Sequence, residues 1–302
     1  MKSVHIIANP VAGGGKGLTQ AHALVSALES RDIPVTLFIT GKAGDGQAEA
    51  GRTATDVVAV VGGDGTLNEV LNGLPEATES ALAILPVGTA NVVARELGMR
   101  SDPEFVADAI TSGNTVAMDV GIHDKQRFLL GAGAGLDAAI THAVQSGRGN
   151  KSNLAKWVLP ALRVILGANY PKIRVTVDDE VVAEDGDYVI VGNCRYSAGV
   201  FPATPHADIS DHKLDVCVMR QLTWLRLIWL VLRVWNPDFV NAPWIAYRQG
   251  QHITLEPADS ESPVLMQIDG DPAGQLPATF SLTNWSIRMV RPTGSAGVSP
   301  VK

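Results

Sequence analysis

Apolar residues in the first third of the chain dominate short strand-like runs, at residues 4–9, 35–40, 57–61 and 82–85. Runs of this length, rich in Val, Ile and Leu, predict buried strands. Between them lie segments of helical spacing, expected at residues 19–30, at 47–52, after residue 66 and up to residue 97. In the third of these, Leu67, Val70, Leu71 and Leu74 fall on one helix face. Strands alternating with helices predict a parallel, doubly wound α/β sheet of the Rossmann-like, three-layer kind. Three glycine-containing turns, at 9–17, 62–66 and 88–91, each follow a predicted strand. They therefore share the carboxyl edge of the sheet, where such folds bind ligands.

Beyond about residue 115 the pattern becomes predominantly β. Strands are predicted at 116–122, 128–131, 173–177, 181–191, 214–219, 252–256, 264–268, 278–282 and 286–290. Asp178-Asp179, Asp185-Gly186 and Asp269-Gly270 have the composition of turns between them. Two helical interruptions are expected, at 154–166 and 222–235. The expected organisation is an α/β domain over 1–120, a β domain, either a β-sandwich or a curled antiparallel sheet, over 121–292, and a polar tail over 293–302.

Bulk composition narrows the function classes. The 302 residues leave room for two domains at roughly 150 residues each. The hydrophobic content of 46% supports a substantial core. A net charge of -7 argues against nucleic acid as the main partner, because no basic excess is present to neutralise phosphates. Cys194 and Cys217 are the only cysteines, too few for a disulfide framework, and they fit a reducing cytoplasm. No secretory signal is visible, and the most apolar segment, 227–232, sits between Arg226 and Arg233. It is far shorter than the roughly 20 residues of a spanning helix, so no transmembrane segment is expected. The seven histidines show no metal-ligand spacing.

The chemistry concentrates in the three turns. Gly62-Gly63-Asp64-Gly65-Thr66 lies between a buried strand and a helix. Its glycines let a ligand approach the main chain, and the amides at the helix start favour phosphate oxygens. Asp64 stands where a carboxylate can hold a metal ion bound to those phosphates. Asn9-Pro10-Val11-Ala12-Gly13-Gly14-Gly15-Lys16-Gly17 is a second phosphate-compatible loop, without the endings of a Walker A or Rossmann fingerprint. Gly88-Thr89-Ala90-Asn91 is the third, with Thr89 and Asn91 suited either to capping a helix or to contacting ribose and phosphate. Together they describe a nucleoside-phosphate site.

In order and spacing, Asn9-Pro10, Gly62 through Val70, and Gly88 through Asn91 resemble the catalytic domain of the diacylglycerol kinase family. This family takes in sphingosine and ceramide kinases and the small soluble bacterial lipid kinases. Residues 131–138, the Leu214-Asp215-Val216 segment and Gln267-Ile268-Asp269-Gly270-Asp271 resemble its later blocks, so the match covers nearly the whole chain. The resemblance implies ATP- and Mg2+-dependent phosphorylation of a lipid hydroxyl in a cleft between the domains. It implies nucleotide binding by Asn9, Lys16, Gly62, Gly63, Asp64, Gly65, Thr66, Gly88, Thr89 and Asn91. It makes Asp269 the general base, and Asp215, Asp64 and Asp271 metal-associated residues. Without the other blocks, Asp269-Gly270 reads as an ordinary hairpin turn.

Two positions depart from the family pattern. Val92 stands where an Asp is frequent, and Asp271 where Glu is usual. They keep open a weakly active or non-catalytic lipid- and nucleotide-binding homologue, and an NAD kinase-like enzyme is a further alternative. A lipid acceptor places the protein in the cytoplasm at the inner membrane face, with a homodimer left open. The segment 222–235, with Trp224, Trp229 and Trp235 beside Arg226 and Arg233, suits either an interfacial helix or one buried on the sandwich.

Overall fold

The computed structural model of the chain describes residues 3–136, 138, 171–197, 201–259 and 263–294. Its N-terminal part is a parallel sheet of β1 (Val4–Ala8), β2 (Val35–Ile39), β3 (Val57–Gly62) and β4 (Ala81–Pro86), in the order β2-β1-β3-β4. Every residue of β1, β3 and β4 is buried, whereas β2 at the edge is partly exposed. That explains the apolar runs: helices cover both faces of the central strands, and His5 is the one polar side chain in β1, β3 and β4. The helices are α2 (Gly17–Glu29), α3 (Asp45–Ala50), α4 (Asp64–Gly73), α5 (Val92–Leu97) and α6 (Pro103–Ser112). A single turn, α1 (Ala12–Gly15), precedes α2. The strand order reverses between β1 and β3, so the crevice beyond their carboxyl ends lies at the topological switch point.

The second part is β-rich, as expected. It comprises β5 (Thr115–His123), β6 (Gln126–Phe128), β7 (Gly131–Gly135), β8 (Ile173–Val177), β9 (Glu180–Gly192), β10 (Leu214–Arg220), β11 (Ile245–Gly250), β12 (His252–Pro257), β13 (Leu265–Ile268), β14 (Asp271–Gln275) and β15 (Ala278–Val290). A second apolar core, with Phe128, Val189, Val216, Met266 and Phe280, fills it. Helix α7 (Trp224–Arg233) closes a third, smaller core against β10 and β11.

Several expectations required correction. The strands expected at 278–282 and 286–290 are one strand, β15, with a register shift between Leu282 and Ser286. The strand expected at 128–131 is two, because Leu129 and Leu130 leave the ladder between β6 and β7. Helix α6, β11 and β14 were not expected. The cap of α6 is nevertheless written in the sequence: Asp102 accepts from the amides of Glu104 (3.0 Å) and Phe105 (3.4 Å), with Pro103 next in line. The helix expected at 154–166 lies outside the described residues.

Strand β15 joins the two parts. Its first half pairs with β12, its second half runs antiparallel to β5, and Met289 pairs with Leu82 of β4. Met289 is fully buried in the N-terminal core. Met289→Ala should therefore lower the unfolding free energy by about 2–5 kcal/mol, read as a shift of the urea midpoint. A shift worth less than about 1 kcal/mol, the usual surface range, would deny β15 that joining role.

Candidate active site

The three glycine turns meet at the carboxyl ends of β1, β3 and β4. Asn9 ties the first to the second, its side-chain amide donating to Thr66 Oγ1 at 3.2 Å while its carbonyl oxygen accepts from the Val11 amide at 3.1 Å. Gly13 has φ +62°, and a Cβ there would lie 2.3 Å from the Val87 carbonyl oxygen, so the first turn rests on the third. A Cβ on Gly88 would lie 2.6 Å from Gly63 Cα, so the second and third turns touch backbone to backbone. Only glycine permits these approaches. By contrast, the Cβ positions of Gly14, Gly15 and Gly65 face open space, with nothing within 4 Å. The result is a shallow cradle of main chain at the start of α4.

Asp64 occupies the first position of α4 and aims its carboxylate at α5, accepting from the amides of Val92 (3.0 Å) and Val93 (3.2 Å). Burial raises its pKa above the ordinary carboxylate value, and the amide bonds pull against that rise. The departure at Val92 has a clear structural place: the side chain is in the core and the backbone amide holds Asp64. Asn91, left-handed at φ 49°, donates to the Gly88 carbonyl at 2.7 Å. Its Oδ1 is buried without a partner beside Gly63 and Gly88. A buried unpaired acceptor of this kind awaits a donor. Thr89 and Lys16 are exposed at the rim.

Asp269 comes from the other part of the chain. Asp269 (φ 50°) and Gly270 (φ 85°) are the two central residues of the hairpin between β13 and β14, and φ above zero at both is the signature of a tight two-residue loop. The ordinary turn is there, and it directs the carboxylate inward. One oxygen accepts from the amides of Leu130 (3.0 Å) and Gly131 (3.0 Å). The other accepts from the Leu129 amide (3.1 Å) and from Asn68 Nδ2 (2.7 Å) on α4. Burial pushes this carboxyl up to about 6 in spite of those four donors.

Asp215 lies elsewhere, on β10, fully buried. Its carboxylate accepts from the Tyr247 hydroxyl at 2.5 Å and from Gln249 Nε2 at 3.1 Å, and burial raises its pKa to about 6. Asp271 is exposed at the start of β14. Among the described residues no three His, Cys, Asp or Glu side chains gather as a metal site. Asp215 is thus already bonded by a phenol and an amide, apart from the glycine turns.

Comparison with known proteins decides the family. Residues 3–122 match the diacylglycerol kinase catalytic domain, and residues 131–291 match the YegS C-terminal NAD kinase beta sandwich-like domain. The chain belongs to the diacylglycerol kinase catalytic-domain family. It is similar to a diacylglycerol kinase of Mycobacterium tuberculosis strain H37Rv, 28% identical over 306 residues with 96% of this chain and 95% of the relative covered. It is similar to one of Bacillus subtilis strain 168, 24% identical over 301 residues with 98% of each covered. A solved diacylglycerol kinase structure from Bacillus anthracis str. Sterne superposes with a TM-score of 0.79 at 25% identity, covering 98% of both chains.

Within this kinase family member, two residues join the site that the sequence did not single out. Asn68 bonds Asp269 and also donates to the Arg127 carbonyl at 3.1 Å. Asn72, one turn on, donates to the same carbonyl at 3.0 Å and accepts from the Arg127 amide at 2.9 Å. Their spacing on one face of α4 was visible; their partners were not. Gly88→Ala would place a methyl against Gly63 and 2.8 Å from Asn91 Oδ1. It should destabilise the fold by about 1–3 kcal/mol and weaken binding of a fluorescent ATP analogue in a titration. Unchanged affinity would dissociate the third turn from the ligand.

Proposed function

We propose that this chain transfers the γ-phosphate of ATP, bound with its magnesium ion, to the hydroxyl of a diacylglycerol-like lipid. The observation that carries the reading is the Asn68–Asp269 hydrogen bond. It fixes a carboxylate from the β-rich part to the same helix whose N-terminus opens on the glycine cradle. Phosphoryl transfer needs positioning, charge neutralisation and a group to accept the attacking hydroxyl's proton.

In this reading residues 1–120 hold the nucleotide and residues 121–292 present the lipid. The start of α4, with Gly62, Gly63, Gly65 and Thr66, receives phosphate oxygens. Gly14 and Gly15 expose main chain to the same anion, Lys16 adds a positive charge, and Asn9 keeps the first two turns in register. Gly88, Thr89 and Asn91 line the third side, and the unpaired Asn91 Oδ1 accepts from the nucleoside. Asp64, held on α5 by the Val92 and Val93 amides, would hold the metal that accompanies ATP, and Asp271, exposed at the start of β14, would assist it. The metal supplies neutralisation of phosphate charge.

Asp269 acts as the general base. A carboxyl at about 6 is still ionised at neutral pH and is a stronger base than an exposed aspartate. Each of its oxygens already accepts two bonds, so the lipid hydroxyl must displace a donor. Asn68 is the one donor on a side chain, and its rotation opens the oxygen. The protein works in the cytoplasm at the inner membrane face; among the described residues no helix is long and apolar enough to cross a membrane. A second reading, a lipid- and nucleotide-binding relative without turnover, draws on the same four donors.

Incubation with radiolabelled ATP and magnesium, against diacylglycerol, phosphatidylglycerol, sphingosine, ceramide and NAD, separates the readings. Label should enter a lipid and fall by roughly 10²–10⁴ in Asp269→Asn. Label only in NAD, or none with nucleotide still bound, overturns the lipid-kinase reading in favour of the respective alternative.

The pH dependence follows from the raised carboxyl. Protonated Asp269 cannot take the hydroxyl's proton, so kcat/KM should rise as pH passes through about 6 and level above it. Asn68→Leu removes a bond to the ionised form and should move that limb to higher pH. The stability contribution has the opposite sign. The native state holds the proton more tightly, so the contribution is complete below 3.8 and lost as pH rises through about 6. Urea midpoints at pH 4.5 and 7.5 should therefore differ less in Asp269→Asn than in the wild type.

A further inference from the structure

We propose that α7 and the turn after it form a docking surface for the face of an anionic lipid bilayer. The inference deepens the lipid-kinase reading and rests on it only for the source of the substrate.

Helix α7 has two unlike faces. Leu230, followed by Val234, is buried against Phe239, Val240, Ile245, Cys217 and Met219. On the outward side, Trp224, Leu225, Ile228, Val231, Leu232 and Trp235 are each between 51% and 74% exposed. They recur at helical spacing, so they make one stripe rather than scattered contacts. Six of the eleven exposed large hydrophobic residues among those described fall on this stripe. Single exposed apolar residues are ordinary, but a contiguous patch marks a surface that meets something apolar.

Charge selects the occupant. From Gln221 to Pro237 the chain carries Arg226 and Arg233 and no acidic residue, in a protein of net charge -7. No ion pair among the described residues engages either arginine. Arg226 is instead held by the carbonyl oxygens of Arg220 (3.1 Å) and Gln221 (2.8 Å), with its guanidinium over the Trp244 ring. Arg226 is turned inward, so exposed Arg233 is the charge left at the end of the stripe for a counter-ion. An anionic bilayer supplies the counter-charge in its headgroups and the apolar environment beneath them. The Trp residues at both ends of the stripe have the amphipathic character of the headgroup level.

The surface also leads towards the site. Phe201 stacks on Trp235 with ring centroids 6.4 Å apart, and exchanges backbone hydrogen bonds with Ser197. Two residues earlier Arg195 pairs with Glu96 of α5 at 2.7 Å, and α5 is the helix whose first amides hold Asp64. The stripe is thus connected through one loop to the wall of the nucleotide site.

The test uses the full chain and the double variant Val231→Glu with Leu232→Glu, whose side chains are exposed and leave the core intact. Co-sedimentation is measured with phosphatidylcholine vesicles, with and without phosphatidylglycerol. Wild type should bind the anionic vesicles, with a blue shift of Trp emission, and the variant's affinity should fall at least about tenfold. The variant should keep turnover of monomeric dioctanoylglycerol while losing it on long-chain diacylglycerol in vesicles. Equal sedimentation of the two proteins overturns the proposal. So does a wild-type dimer that the variant breaks without vesicle binding, which would assign the face to a second copy. If no lipid is phosphorylated but vesicle binding still depends on the stripe, the docking surface stands and the kinase reading alone fails.

Discussion

The Asp269 carboxylate carries more of this architecture than any other group. It is reached by three consecutive backbone amides of Leu129, Leu130 and Gly131, and by Asn68 from a helix that belongs to the N-terminal sheet. Removing any of its donors leaves a half-buried charge under-satisfied, which costs more than the bond itself contributes. The turn between β6 and β7, the tip of the β13–β14 hairpin and the middle of α4 are therefore held at one point. A carboxylate with this anchoring is fixed in place by the fold itself, and burial raises its pKa without neutralising it at physiological pH.

The glycine cradle is built on a different principle, close contact of main chain. Gly13 against Val87, Gly63 against Gly88 and Gly17 against the Asn9 carbonyl bring three loops closer than any side chain allows. These contacts leave the main chain of Gly14, Gly15 and Gly65 facing outward. Asp64 then stiffens the arrangement by crossing from α4 to the start of α5. A loop cluster of this kind owes its rigidity to contact rather than to regular hydrogen bonding, which is why the turns are short and glycine-rich at once.

Much of this was legible from the sequence, and the exceptions share a cause. The parallel strands were readable because burial on both faces leaves a largely apolar run. The glycine turns were readable because nothing else tolerates their backbone. Strand β7, Gly131–Gly135, was not, since alternating Gly and Ala carry almost no strand preference and the element exists because β9 and β13 hold it from both sides. Strand β14, containing Pro272 and Gly274, is likewise made by its partner β13. Asn68 escaped notice because its partner lies 201 positions away. What was missed is what depends on non-local pairing, and Val92, which looked like a lost ligand in one dimension, turned out to occupy the core.

Strand β15 has a consequence for how the molecule comes into being on the ribosome. The N-terminal sheet is continuous through β4 to a strand encoded at residues 278–290, so its flank stays open until almost the entire polypeptide has been synthesised. An unpaired strand edge during translation is a site for wrong pairing. The first 120 or so residues, although they hold all three glycine turns, must then wait for the far end of the chain before their sheet is sealed. Closure of that sheet and arrival of Asp269 at α4 therefore both wait for the last strands of the chain.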